Sequence, residues 1–273
     1  MSDSKTILIT GSTDGIGYKA AVDLINLGYE VIIHGRSPKR SQSICEKIMF
    51  ETGTKNIEAI TGDLSSITQI KELIDDIKKN YTRIDVLINN AGVLSPNRVI
   101  TEDGFELTLQ VNYLAPFLLT NSILDILKDN QPSRIINVVS EVHSSHLDLN
   151  DLQSSEGYTS VKAYALSKTC LIMYTYLLAE HLRDFNITVN CLHPGVIKTK
   201  LLHPSLVNIG GPVEVGAKTL VYAATSPELE NTSGKYLRDN KIRNSKEVTN
   251  DKRLQKLLWE KTTELLGANN SIF

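Results

Sequence analysis

One short segment near the amino terminus constrains this chain more than any other: Thr10-Gly11-Ser12-Thr13-Asp14-Gly15-Ile16-Gly17. It follows directly on the apolar run Thr6–Ile9 and leads into a stretch whose apolar residues recur at helical spacing. Glycines at such a junction permit a tight strand-to-helix turn and let another molecule approach the backbone with no Cβ in the way. The helix that opens there presents free N–H groups and the positive end of its dipole, which suits an anionic group such as a pyrophosphate. The spacing is Gly-x-x-x-Gly-x-Gly rather than Gly-x-Gly-x-x-Gly, and a plain tight turn is the competing reading. No Gly-Lys-Ser/Thr follows, which excludes a P-loop, and the Gly-x-Ser-x-Gly order of a nucleophile elbow is absent.

The rest of the chain keeps the same rhythm. Apolar runs at 30–33, 57–60, 84–88, 134–139 and 187–192 read as buried strands, and residues 17–27, 39–51, 66–80, 108–127, 164–183 and Val213–Thr225 read as helices. This alternation implies parallel βαβ units with right-handed crossovers. The expected architecture is α/β: a single doubly wound Rossmann-type domain over residues 1–273, with a parallel sheet of about seven strands and helices on both faces. Ligand is expected at the carboxyl ends of the strands. Lys252–Leu266 places Leu254, Leu257, Leu258, Thr262 and Leu265 on one face, for core packing or for a partner. The helices at 108–127 and 164–183 offer a face for a possible symmetric homo-oligomer.

Composition removes other classes. With 41% apolar and 22% charged residues the chain is neither disordered nor collagen-like. A net charge of -2 gives no footprint for nucleic acid. The longest apolar stretch, around residues 170–179, is far short of the roughly 20 residues that cross a bilayer, so no membrane span is expected. Cys45, Cys170 and Cys191 are scattered and odd in number, a poor disulfide framework. No signal peptide is read ahead of the first strand, so the expectation is a cytoplasmic protein. No metal is expected: no Cys pair has zinc-type spacing, and His143 and His146 have no carboxylate at fixed helical spacing.

The second strand ends His34-Gly35-Arg36-Ser37. An acid at this point of a dinucleotide site bonds the ribose 2′-hydroxyl, whereas an Arg accommodates a 2′-phosphate. Here there is no carboxylate, Arg36 supplies a planar fixed charge, and Ser37 adds a second phosphate contact. The pattern favours NADP(H) over NAD(H), against the alternative of a solvated Arg. Asp63, with Leu64, follows the third strand and suits the adenine amino group. Asn89-Asn90-Ala91-Gly92 ends the fourth, where small residues let a cofactor lie on the backbone. A strand-end turn is the plainer account of both. His193-Pro194-Gly195-Val196-Ile197-Lys198-Thr199 follows the sixth strand and can offer backbone groups and the Thr199 hydroxyl to a nicotinamide carboxamide.

Tyr164-Ala165-Leu166-Ser167-Lys168 sets a phenol and an ammonium one helical turn apart on one face. A neighbouring cation lowers a phenol's pKa toward the range useful for acid–base work. Tyr158 and Lys162 have the same spacing, but they lie in the polar loop before the helix, where nothing fixes their geometry. Ser140, at the end of the fifth strand, can donate to a carbonyl, or simply cap a turn. Asn112, inside an apolar helix, either holds a proton-relaying water near Lys168 or marks a kink ahead of Pro116.

Taken together, the glycine turn, Asn89-Asn90-Ala91-Gly92, Asn112, Ser140, Tyr164-x-x-x-Lys168 and Pro194-Gly195 resemble the short-chain dehydrogenase/reductase family across nearly the whole chain. Val111 to Thr120, Asp151-Leu152, Leu192-His193-Pro194-Gly195-Val196 and Gly234-Lys235-Tyr236 look most like its retinol dehydrogenase and protochlorophyllide reductase-related group. The resemblance implies hydride transfer between NADP(H) and a small-molecule carbonyl or alcohol. It implies Tyr164 as proton donor in reduction and Lys168 also bonding the nicotinamide ribose. Ser140 would orient the carbonyl, Asn112 would complete the relay, and Arg36 would stand at the basic position of NADPH-preferring relatives. A substrate pocket is expected from 93–98, 141–160 and 201–211. The rival readings are a non-catalytic NADP(H)-binding sensor or scaffold, and a sugar epimerase or dehydratase, whose larger carboxyl-terminal lobe is not seen here.

Overall fold

The computed structural model describes residues 4–201 and 209–267. β1 (Thr6–Ile9), β2 (Glu30–Gly35), β3 (Ile57–Thr61), β4 (Val86–Asn89), β5 (Ser133–Val138), β6 (Ile187–His193), β7 (Tyr236–Arg238) and β8 (Lys241–Arg243) form one sheet in the order β3-β2-β1-β4-β5-β6-β7-β8. Pairing is parallel through β7 and antiparallel for β8. The strand order reverses beside β1, whose neighbours are β2 and β4. A crevice therefore opens at the carboxyl ends of β1 and β4, where ligands of such sheets bind.

Both sheet faces are covered, which is why the central strands carry unbroken apolar runs, Ile7–Ile9 in β1 and Val86–Ile88 in β4. Ile7 and Ile9 pack into the layer of α1 (Gly15–Asn26), α2 (Pro38–Thr52) and α8 (Val213–Thr225). Leu8, Leu87, Ile135 and Val189 point the other way, toward α3 (Ile67–Asn80) and α7 (Ser160–His181), as the two-residue period of a strand requires. Local signals set the helix ends. Asp14, Ser37 and Ser66 cap α1, α2 and α3 by accepting from backbone N–H groups, and Gly53 ends α2 in the left-handed region at φ 69°. Ile70, Leu73, Ile74 and Ile77 form the buried stripe of α3.

The structure departs from the sequence expectation in three places. The segment expected as one helix over 108–127 is α4 (Leu107–Leu109), a π turn (Gln110–Leu114), α5 (Ala115–Ser122) and α6 (Leu124–Asp129). The Ala115 N–H bonds the Gln110 carbonyl, and Pro116 has no N–H to give the carbonyl of Asn112. α7 begins a turn earlier than expected because the Thr159 hydroxyl accepts from the Lys162 N–H at 3.2 Å. β7 and β8, not assigned from sequence, are joined through Asp239 and Asn240, both in the left-handed region at φ 53° and 55°, as a tight hairpin demands.

α9 (Lys252–Leu266) runs from an Asp251 cap to Gly267 and packs on α7. The Trp259 ring lies 4.6 Å from Phe117 and 5.9 Å from Tyr174, and the Tyr113 hydroxyl lies 2.7 Å from that of Thr262. Leu258 and Thr262 are buried as expected. Leu257 is instead exposed, and Gln255 takes an inward place. α9 thus packs along α7 and sets Trp259 against Phe117 of α5. Among the described residues no helix is long and apolar enough to cross a membrane.

Candidate active site

A cleft of about 1160 Å³ lies at the carboxyl end of the sheet. The glycine turn forms its floor. Asn90 bolts this turn to the end of β4: its side-chain amide donates to the carbonyls of Thr10 (2.8 Å) and Gly11 (3.1 Å), and the N–H groups of Asn90 and Ala91 donate to the Thr10 hydroxyl. Gly11, at φ 64°, lies against Ala91 so closely that a Cβ would meet its Cα at 2.7 Å. At Gly92 a Cβ would point into the cleft, 3.4 Å from Asn112 Oδ1 and 3.6 Å from Lys168 Nζ. The amino-terminal turn of α1, of which Asp14 takes only the Gly15 N–H, and these bare backbone positions fit a dinucleotide laid across the strand ends.

Gly11, Thr13, Asp14, Gly15, Ile16, Gly17, Arg36, Ser37, Asp63, Leu64, Asn90, Ala91, Gly92, Tyr164, Lys168, Pro194 and Thr199 all line the cleft. Ser12, Gly195 and Ile197 do not line it. Ser12 is fully buried, its hydroxyl donating to the Ile9 carbonyl at 2.7 Å and accepting from the His34 N–H at 2.9 Å. Ile197 is buried among apolar atoms near Gly216 and Gly195. The expected pocket segment 201–211 falls partly outside the described residues, at 202–208.

At the other end of the cleft, Lys168 Nζ lies 5.5 Å from the centre of the Tyr164 ring and donates to the Val138 carbonyl at 2.8 Å. Burial pushes the Tyr164 phenol up to about 12, with the Ser140 hydroxyl pulling it back, and pushes the Lys168 amine down to about 7. The sequence argument had the cation lowering the phenol. Here desolvation raises it instead, and the group that pulls it down is Ser140 rather than Lys168. Ser140 Oγ accepts from the Val142 N–H at 3.1 Å, which leaves its own proton free to donate. Asn112 is fixed by its side chain: Oδ1 accepts from the Val93 N–H (2.8 Å), and Nδ2 donates to the Val93 carbonyl (2.9 Å) and to Ser167 Oγ (3.0 Å). Asn112 sits within the π turn ahead of Pro116, and Gly92 faces both its Oδ1 and Lys168 Nζ. The second Tyr/Lys pair is used otherwise: Tyr158 donates to the Ser95 carbonyl at 2.8 Å and Lys162 to the Gly157 carbonyl at 3.3 Å.

The model of the short chain dehydrogenase family matches residues 5–208. The chain belongs to that family. Human (Homo sapiens) polyprenol dehydrogenase is 37% identical over 281 residues, covering 96% of this chain and 85% of that one. Human retinol dehydrogenase 13 is 35% identical over 280 residues, with 96% and 85% covered. A solved structure of a protein from Mycobacterium Paratuberculosis superposes with a TM-score of 0.81 at 24% identity, covering 97% of this chain and 94% of that one. Within the short-chain dehydrogenases the chain falls in the retinol dehydrogenase-like group. It is an oxidoreductase of alcohol and carbonyl groups that uses a nicotinamide dinucleotide.

Sequence reasoning overlooked several residues of this dehydrogenase's cleft. Arg40 and Lys47 of α2 line it beside Arg36, and Arg40 donates to the Thr13 carbonyl and to Asp14 Oδ2 at 3.3 and 3.1 Å. Lys200 bonds the same Asp14 oxygen at 2.6 Å; this pair and the helix cap hold the Asp14 carboxyl below its ordinary range. A basic residue one helical turn beyond Arg36 was the available signal for Arg40. A smaller cavity of about 720 Å³, between α7, α9 and the β6–β8 edge, holds none of the candidate residues.

Proposed function

We propose that this chain moves a hydride between NADP(H) and an apolar alcohol or carbonyl compound, with Tyr164 as the general acid/base. The observation that carries the reading is convergence: Tyr164 and Lys168 line the same cleft as the glycine turn, with buried Ser140 hydrogen-bonded to the Tyr164 phenol and buried Asn112 facing Gly92 beside Lys168. The dinucleotide, when bound, supplies or accepts the hydride. The chain's own groups handle the proton. Tyr164, protonated at neutral pH, gives its proton to the substrate oxygen during reduction. Ser140 donates to the same oxygen and orients it. Lys168 donates one proton to the Val138 carbonyl and, in its charged form, has two more for the phenol and for ribose hydroxyls. Asn112 holds the loop at Val93 beside this group and, on the family resemblance, would complete the proton relay from Lys168.

The choice of NADP(H) rests on Arg36 and Arg40, with Lys47 behind them, and on the lack of any carboxylate from His34 to Ser37. An apolar substrate is supported by Val93, Leu107, Val111, Val139 and Leu201 along the cleft, and by the prenoid alcohols in the two relatives' names.

The test is a panel of aldehydes, ketones and alcohols with NADPH and NADH in parallel, run on the wild type and on Tyr164→Phe. The variant should lose about 100- to 10,000-fold in kcat while still binding NADPH. Unchanged turnover defeats the assignment of Tyr164. NADPH binding with no turnover across the panel would leave a nucleotide-binding scaffold instead.

A further inference from the structure

Directly after Ser140 the chain turns tightly, the His143 N–H reaching the Glu141 carbonyl at 3.0 Å. The His143 side chain then folds back over the turn. Its Nδ1 lies 2.9 Å from the Ser140 carbonyl, and its Nε2 lies 3.0 Å from the amide nitrogen of Lys246. A carbonyl only accepts and an amide N–H only donates. The ring is therefore neutral, with its proton on Nδ1 and its lone pair on Nε2. The Lys246 ammonium bonds the His143 carbonyl as well.

Lys246 opens the 3₁₀ turn Glu247–Asn250, which is itself anchored. Ser245 Oγ lies 2.7 Å from the Tyr176 hydroxyl, and Gln255 donates to the Thr249 carbonyl at 2.8 Å. An unbroken series of bonds thus runs from the carboxyl-terminal segment to the peptide of Ser140. Burial and a neighbouring positive charge favour the neutral ring. His143 is buried, its ring lies 5.7 Å from that of Tyr236, and the Lys246 ammonium opposes a second positive charge. The Ser140 and Glu141 carbonyls pull the other way and do not outweigh burial. The remaining charged neighbours form their own cluster: Glu141 lies 2.8 Å from Arg238 and 3.7 Å from His193.

We propose that His143 is a positioning residue for Ser140, bridging the serine's carbonyl to the backbone of Lys246 so that the carboxyl-terminal segment governs where the Ser140 hydroxyl points. This rests on the reading of Ser140 as a catalytic group. Nothing in the reaction touches His143 itself; it acts through the serine.

The experiment compares kcat, the NADPH dissociation constant and the melting temperature across a small set of variants of the whole chain. His143→Ala should lose about 10- to 100-fold in kcat, the scale of a misplaced catalytic group, with NADPH affinity unchanged. His143→Asn places an amide N–H where Nδ1 stands but has no atom to reach the Lys246 N–H, so it should recover only part of kcat. Lys246→Pro deletes the N–H at a residue whose φ is already −62°. It should lower kcat in the wild type but not in the His143→Asn background. Lys246→Ala, which keeps the N–H, should fall less than Lys246→Pro. Wild-type kcat in His143→Ala overturns the proposal. So does an equal effect of Lys246→Pro in both backgrounds, or a loss of NADPH affinity and melting temperature that matches the loss of kcat. Ser140→Ala separates the two failures. If it retains kcat, the catalytic reading of Ser140 fails; if it loses kcat while His143→Ala does not, the positioning role alone fails.

Discussion

The backbone N–H of Gly11 donates to Nδ1 of His34 across 3.2 Å, while Nε2 of the same ring donates to the Gly62 carbonyl at 3.0 Å. One neutral imidazole thereby joins the glycine turn to the end of β3, and burial pushes its pKa down to about 4. The unfolded chain binds a proton here near pH 6.5, the ordinary value. Stability from this group is therefore whole above that pH and falls as the pH drops toward 4, by about 3 kcal/mol in total. Acid unfolding curves should show this slope. His34→Gln, which takes up no proton, should flatten it, and an unchanged slope would contradict the assignment.

Gly17 has no room for a side chain. A Cβ there would stand 2.8 Å from the Gly11 carbonyl oxygen and 2.9 Å from Ser12 Cα, both backbone. Gly17→Ala should cost about 1–3 kcal/mol and weaken dinucleotide binding by displacing the turn. Gly53→Ala is the control. It sits at positive φ, unlike Gly17, and a Cβ would meet nothing within 4 Å, so it should cost about 1 kcal/mol and leave nucleotide affinity alone. Thermal melts with a cofactor titration check both.

Arg36 and Arg40 face the end of the cleft beyond β2. If they hold a 2′-phosphate, replacing either with Ala removes a charge-assisted contact worth about 1.5 kcal/mol, roughly a tenfold rise in the NADPH dissociation constant. NADH affinity should stay level. Parallel titrations of the two dinucleotides decide it, and an equal loss for both would point to damage of the turn through Asp14.

Trp259 fills the space between Phe117 and Tyr174. Trp259→Ala should lower stability by about 2 kcal/mol or more, seen in denaturant melts. A variant as stable as the wild type would mean that α9 adds little to the core.

The rhythm of the fold was legible because strands such as Val86–Asn89, buried on both faces, carry an unbroken apolar run (Val86–Ile88) and are bounded by turn residues. The glycine turn and the Tyr164/Lys168 spacing were legible for a similar reason: they are local, and one helix or turn sets their geometry. What escaped was non-local or too short. Three-residue strands such as Lys241–Arg243, wholly exposed, have no alternation to read. The π turn at Gln110–Leu114 leaves no mark in an apolar pattern that fits either helical period. His34 showed in sequence only that no carboxylate stood there; its two backbone partners, Gly11 and Gly62, come from other elements. The reversal of the Tyr164 expectation has the same origin, since burial is a property of the assembled site.

The hairpin at Asp239 and Asn240 also decides how the sheet terminates. β8 contributes three residues, and Lys241 and Arg243 stand exposed on this outermost strand. So short a rim, carrying two positive charges, repels the same rim of another copy and offers too few free amides to template an added strand. Strand-by-strand growth into fibrils is thereby blocked on this side.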